Sequence, residues 1–301
     1  MPQVIGRLIT AMVTPFDSKG EVNYDQAQRL ATALVQSGSD GIVVSGTTGE
    51  SPTLTKDEKI RLFKEVKAAV GHRASVIAGA GSNSTMASVE LTKAAEAAGA
   101  DAILLVVPYY NKPTQDGLFQ HFKTIAGSTK LPVILYNVPG RTVTNLAVET
   151  VARLTIVRNI VGIKEASGNL DQIAAIIKAV PKGFEVWSGN DTDTYPILEL
   201  GGYGVISVTS HVVGLQMKEM IDRFVKGNRA EARAIHERLM PVFKDLFVVS
   251  NPIPVKYALN KAGFNVGGYR LPLTPPDAKA AAVIDATMAK IKVDLPIPAK
   301  P

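Results

Sequence analysis

Ser-Gly-Ser-Asp-Gly-Ile-Val-Val (37–44) ends an amphipathic segment on a glycine, makes a short turn and enters an apolar run of strand type. The same joint returns as Ala-Gly-Ala-Asp-Ala-Ile-Leu-Leu (98–105) and as Leu-Gly-Gly-Tyr-Gly-Val-Ile-Ser (200–207). Each repeat carries a helix-stopping glycine followed by a strand apolar on both faces, which is how a strand between two helical layers reads.

Working outward from these joints, strand-like runs fall at Leu8–Val13, Gly41–Ser45, Ser75–Gly79, Ala102–Val107, Val133–Asn137, Ile160–Lys164, Glu185–Ser188 and Gly204–Val208. Between them lie amphipathic stretches at Tyr24–Ser37, Thr55–Val70, Ser84–Ala98, Thr114–Ser128 and Asp171–Val180. Thr55-Lys-Asp-Glu58 has the form of a capping box, and Gly38, Gly71 and Gly99 follow their helices. Alternating strand and helix implies a parallel sheet. Eight such units close most economically as an α/β (β/α)8 TIM barrel rather than an open doubly wound sheet. After Val208 the pattern is helical only, at Gln216–Lys226, Ala230–Val248, Pro254–Lys261 and Pro275–Lys292. The last three form a C-terminal helical appendage, dividing the chain into a catalytic barrel at 1–227 and a helical region at 228–301.

Composition narrows the chemistry. The 301 residues hold no cysteine, so thiolate nucleophiles, disulfides and cysteine-held metal clusters are excluded. The 4 histidines are scattered without metal-ligand spacing, and no Gly-x-Ser-x-Gly elbow or Walker sequence occurs. The formal charge of +6 is spread among acidic residues along helical segments, which argues against a nucleic-acid partner. The opening residues lack the basic start and apolar core of a signal peptide, and no stretch reaches the length of a membrane span, so a cytoplasmic protein is expected.

In a barrel of this kind, reacting groups gather at the C-terminal strand ends. In Val-Gly-Ile-Lys-Glu-Ala (161–166), strand alternation puts Lys164 on one face with Gly162, and Ile163 with Glu165 on the other. A lysine snorkelling outward beside Glu165 is the competing possibility, and alternation speaks against it. A desolvated amine loses its proton more readily and can attack a carbonyl to form a Schiff base.

Other loop groups complete a candidate constellation. Gly46-Thr47-Thr48-Gly49 offers hydroxyls and backbone N–H groups suited to a carboxylate or phosphate, although an ordinary turn has the same composition. Tyr136 can relay protons or serve as a buried structural phenol. Arg141 has the planar fork that suits a second carboxylate. Tyr110, in Pro-Tyr-Tyr-Asn-Lys-Pro (108–113), fits a subunit contact as well as a site. Gly201-Gly202 precedes the eighth strand instead of following it, which disfavours a phosphorylated substrate.

At these positions the chain resembles the dihydrodipicolinate synthase and N-acetylneuraminate lyase family over nearly its full length. The resemblance is carried by Gly46-Thr-Thr-Gly-Glu-Ser51, Pro108-Tyr-Tyr-Asn-Lys-Pro113, Tyr136-Asn-Val-Pro-Gly-Arg-Thr142, Gly162-Ile-Lys-Glu-Ala166, Ser188-Gly-Asn-Asp191, Gly204-Val-Ile-Ser-Val208 and Asn251-Pro-Ile-Pro-Val-Lys256. It implies that Lys164 forms a Schiff base with pyruvate, that Thr47 and Thr48 hold the pyruvate carboxylate, and that Gly189 and Ile206 line the pocket. Tyr136, Thr47 and Tyr110 would form a proton relay, with Tyr110 entering from a neighbouring subunit of a homotetramer built as a dimer of dimers. Arg141 would bind the carboxylate of L-aspartate 4-semialdehyde.

The product implied is 4-hydroxy-tetrahydrodipicolinate, in the diaminopimelate route to lysine, with no cofactor and no metal. Two alternatives stand beside this: a pyruvate-dependent lyase acting on a sugar acid such as N-acetylneuraminate, and a non-catalytic binding protein on the same barrel. The resemblance also implies weak or absent inhibition by lysine, because Ala87 and Lys56 stand where regulated relatives place a glutamate and a histidine or aromatic residue.

Overall fold

A computed structural model of the chain describes residues 5–297. The first half runs β1 (Leu8–Ala11), α1 (Tyr24–Gln36), β2 (Gly41–Val44), α2 (Lys56–Val70), β3 (Ser75–Gly79), α3 (Thr85–Ala97), β4 (Ala102–Val106) and α4 (Gln115–Ala126). It continues through β5 (Val133–Asn137), α5 (Pro139–Thr142), α6 (Val148–Leu154), β6 (Ile160–Glu165), α7 (Leu170–Ala179), β7 (Glu185–Ser188), α8 (Thr194–Glu199) and β8 (Gly204–Ser207). Four helices follow: α9 (Ser210–Val225), α10 (Arg229–Asp245), α11 (Ile253–Lys261) and α12 (Ala278–Met288).

The strands close in sequence order from β1 to β8, with β8 pairing parallel to β1. The joints form as their sequence implies. Gly38 and Gly99 take φ of +100° and +89°, a region glycine enters without steric cost. At the start of α2, Thr55 accepts from the Glu58 N–H while Glu58 accepts from the Thr55 N–H, completing the capping box.

Alternation along the strands sorts the core into two layers. Ile9, Val43, Ile77, Leu104, Ile134, Tyr136, Trp187 and Ile206 fill the barrel interior. Leu8, Ile42, Val76, Ile103, Leu135 and Ile163 face the helices. Tyr136, Lys164 and Trp187 occupy one register row across β5, β6 and β7. A row of this kind at the C-terminal strand ends brings three side chains from three strands to the same depth.

Some boundaries differ from the sequence reading. Between β5 and β6 the chain forms two short helices, α5 and α6, where periodicity picks out none; even the longer, α6, spans fewer than two turns of pattern. Helix α9 begins at Ser210, ahead of the expected Gln216, and runs through a non-helical Val213. That kink breaks the 3.6-residue period and hides the first turn. Helix α12 starts at Ala278 because Asp277 serves as its N-cap, accepting from the Ala280 N–H.

Candidate active site

Lys164 is 5% exposed, and its Nζ lies 4.4 Å from the centroid of the Tyr136 ring. The expected facing holds. Glu165 points away, accepting from Asn137 Nδ2 at 3.1 Å, the Ser167 N–H at 2.8 Å and Gln172 Nε2 at 3.4 Å. Burial raises the Glu165 carboxyl above its usual range, and hydrogen bonds from Ser167, Asn137 and Gln172 oppose the shift. Gly189 sits against the lysine stem: a Cβ there would lie 3.1 Å from Lys164 Cε and 2.6 Å from Ala166 Cβ. A glycine is therefore what leaves the amine room to swing.

Tyr136 also belongs to the wall of a cavity of about 380 Å³ that includes Thr47, Arg141, Val138 and Tyr109. A lobe of the same cavity reaches Lys56, Lys59, Ala87 and Glu90. Lys56 is paired with Glu90 at 2.9 Å, so this carboxylate one turn beyond Ala87 is already engaged. Burial lowers the Lys59 ammonium below its ordinary range.

Thr47 and Thr48 sit in a turn held by Gly49 N–H to Gly46 C=O and Glu50 N–H to Thr47 C=O, each 3.1 Å. Ser45 and Glu50, which flank it, adopt φ of +58° and +55°. Residues other than glycine seldom take that conformation, and the surroundings must hold them in it. Much of that hold comes from the far end of the chain. Glu50 is ion-paired with Lys256 at 2.7 Å, both side chains fully buried, and its other oxygen accepts from the Arg270 N–H at 3.2 Å. Thr48 is buried rather than lining the cavity, and its Oγ1 accepts from Asn251 Nδ2 at 2.9 Å.

Arg141, on α5, donates from Nη2 to the backbone carbonyl of Asn251 at 3.1 Å. Ile206 lies in the interior layer with Tyr136 and Trp187. Just beyond it, Asp191 accepts from the Val208 and Thr209 N–H groups at 3.2 and 2.9 Å, which fixes the end of β8. Tyr110 stands apart. It is 88% exposed with φ of +75°, and Tyr109, not Tyr110, borders the cavity of its own chain.

The fold thus brings Lys164, Tyr136, Thr47, Arg141 and Gly189 to one strand-end region, with Thr48 and Ile206 behind them. Asn251, Lys256 and Glu50 were given no role from sequence. Asn251 and Lys256 follow all eight strands, and no local pattern links them to partners 203 and 206 residues away.

Comparison with known proteins agrees with this fold. The dihydrodipicolinate synthetase family model matches residues 4–291. A 4-hydroxy-tetrahydrodipicolinate synthase of Dehalococcoides mccartyi is 62% identical over 97% of this chain and 99% of its own. A dihydrodipicolinate synthase structure from Bacillus anthracis superposes with a TM-score of 0.93 at 46% identity, covering 96% of this chain and 99% of the other. The DHDPS of Cyanidioschyzon merolae, solved with lysine bound, gives 0.93 at 50% identity over 95% and 97% of the two chains. Sequence and barrel agree along almost the whole length, and the chain belongs to the dihydrodipicolinate synthetase family.

Proposed function

We propose that this chain is a lyase of the aldolase type that condenses pyruvate with L-aspartate 4-semialdehyde to give 4-hydroxy-tetrahydrodipicolinate, with Lys164 as the Schiff-base residue. The observation that carries the assignment to Lys164 is its placement: the residue is 5% exposed, and its amine lies 4.4 Å from the ring centroid of Tyr136, which also walls the cavity.

The chemistry follows from those positions. Lys164 Nζ adds to the pyruvate ketone, and the carbinolamine loses water to give an iminium. Loss of a methyl proton makes the enamine, whose carbon attacks the aldehyde of the second substrate. The amino group of that substrate then attacks the iminium carbon and displaces Lys164, which leaves as the free amine. The iminium is the electron sink throughout. Tyr136 carries protons to and from the reacting oxygens, with Thr47 beside it and Tyr110 of a second copy completing the relay. Thr48 and Thr47 hold the pyruvate carboxylate, with Gly189 and Ile206 shaping the pocket around it. Arg141 takes the carboxylate of the aldehyde substrate through its guanidinium.

A homotetramer built as a dimer of dimers belongs to the same proposal; it is supported by Tyr110, whose ring stands out from its own chain. A cytoplasmic location goes with it, and no helix among the described residues is long and apolar enough to cross a membrane. Residues 1–227 are taken as the catalytic barrel and 228–301 as a helical region that supports its loops.

Borohydride reduction in the presence of pyruvate tests the central step. A stable mass increase is expected on the wild-type chain and not on Lys164→Ala; an adduct that persists in the variant overturns the assignment. Turnover with L-aspartate 4-semialdehyde but not N-acetylmannosamine separates this function from a sugar-acid lyase.

A further inference from the structure

Asn251 lies outside the barrel strands, in the segment leading into α11, yet it touches both proposed carboxylate-holding groups. Its Nδ2 donates to Thr48 Oγ1 at 2.9 Å, and its backbone carbonyl accepts from Arg141 Nη2 at 3.1 Å. Its Oδ1 is buried and has no hydrogen-bond partner among the described residues. An unpaired buried acceptor is costly, so a side chain that keeps one beside a substrate-holding threonine calls for a reason other than packing.

The hydrogen-bonding capacity of Thr48 supplies that reason. A hydroxyl has one hydrogen and two lone pairs. With Asn251 donating, one lone pair is occupied and the hydrogen is left for an incoming anion. If the amide were turned over, its oxygen would draw that hydrogen away from the substrate. In this orientation Oδ1 is the amide atom left without a partner among the described residues.

We propose that Asn251 is a positioning residue: its side chain keeps Thr48 available as a hydrogen-bond donor to the pyruvate carboxylate, and its backbone carbonyl ties that seat to Arg141. The inference rests on the function proposed above. It goes further in making the spacing of the two carboxylate seats depend on a residue outside the barrel strands.

Borohydride trapping at graded pyruvate concentrations, without the second substrate, reads the side-chain contact alone. In Asn251→Ala the pyruvate concentration for half-maximal adduct is expected to rise about tenfold, the effect of losing one oriented hydrogen bond. Half-saturation by L-aspartate 4-semialdehyde should stay within about twofold, because the backbone carbonyl that meets Arg141 remains. Asn251→Asp is the sharper variant. It preserves shape but accepts from Thr48 and adds a like charge near the pyruvate carboxylate, so it should weaken pyruvate more than alanine does.

A packing role predicts the reverse order. In a Thr48→Val background, Asn251→Ala should add less than about a twofold further change if it acts through Thr48. An aspartate variant that traps pyruvate like the wild type, or a full tenfold effect persisting without the Thr48 hydroxyl, overturns the proposal. Should the alanine variant not fold, the near-isosteric aspartate decides. Failure of the wild type itself to trap pyruvate refutes the parent function instead, so the two failures are distinct.

Discussion

Lys256 is fully buried on α11, with its Nζ 2.7 Å from Glu50, 3.1 Å from the Thr14 carbonyl and 4.3 Å from the Phe16 ring centroid. Burial lowers its pKa, and the Glu50 carboxylate opposes the shift. Removing one member of such a pair strands the other charge in the interior, at about 3–5 kcal/mol. Lys256→Met should therefore lose about that much stability in urea denaturation. The double variant Glu50→Gln with Lys256→Met should recover more than half of it, since no buried charge is left. Equal losses in the single and double variants would show that packing, not charge, holds the knot. The contrast with Lys164 shows what a sequence reveals at this scale. Lys164 was legible because strand alternation is a local rule, and it set the amine opposite Glu165 within one element. Lys256 sits on a helix, where spacing gives a face but not a partner; its counter-charge lies 206 residues away in a loop whose left-handed Glu50 no pattern announced.

The strands and their joints were legible for a physical reason: each αβ joint needs a glycine, a turn and a doubly buried strand, and those needs write themselves into consecutive residues. Helices α5 and α6 were not, because short helices inside a long connection carry too few turns for a period. Helices α2 and α3 also frame a functional expectation. Their facing residues Lys56, Lys59, Ala87 and Glu90 border one lobe of the cavity, and Glu90 is committed to Lys56. A free lysine entering this lobe would bring its ammonium near two others, with the nearby carboxylate already paired. The lobe is thus poorly suited to lysine, although a relative has been solved with lysine bound. Steady-state assays should show less than about twofold inhibition at millimolar lysine, an affinity no tighter than that range. Half-inhibition at submillimolar lysine would refute this.

At the scale of the whole molecule the relation that matters is between Tyr110 and the site it is proposed to serve. Its ring is 88% exposed, its backbone is held at φ of +75°, and the cavity of its own chain is bordered by Tyr109 instead. A large aromatic projecting from a strained loop carries its group away from its own barrel, and a second copy related by twofold symmetry would receive it while offering its own in return. That reciprocity makes a prediction which single variants cannot. Lys164→Ala subunits lack the amine but keep Tyr110; Tyr110→Phe subunits keep the amine but lack the phenol. If the tyrosine acts across an interface, each mixed dimer holds one complete site, formed by Lys164 of one subunit and Tyr110 of the other. Random mixing of equal amounts makes half the dimers mixed, with one of their two sites intact, so activity should approach roughly a quarter of wild type. Co-expression with two different affinity tags, followed by purification through both, removes the tetramers of a single variant and raises the expected value slightly, to roughly two-sevenths for paired dimers. A mixed species no more active than the average of its parents would place Tyr110 in a purely local role and remove the need for a partner in catalysis.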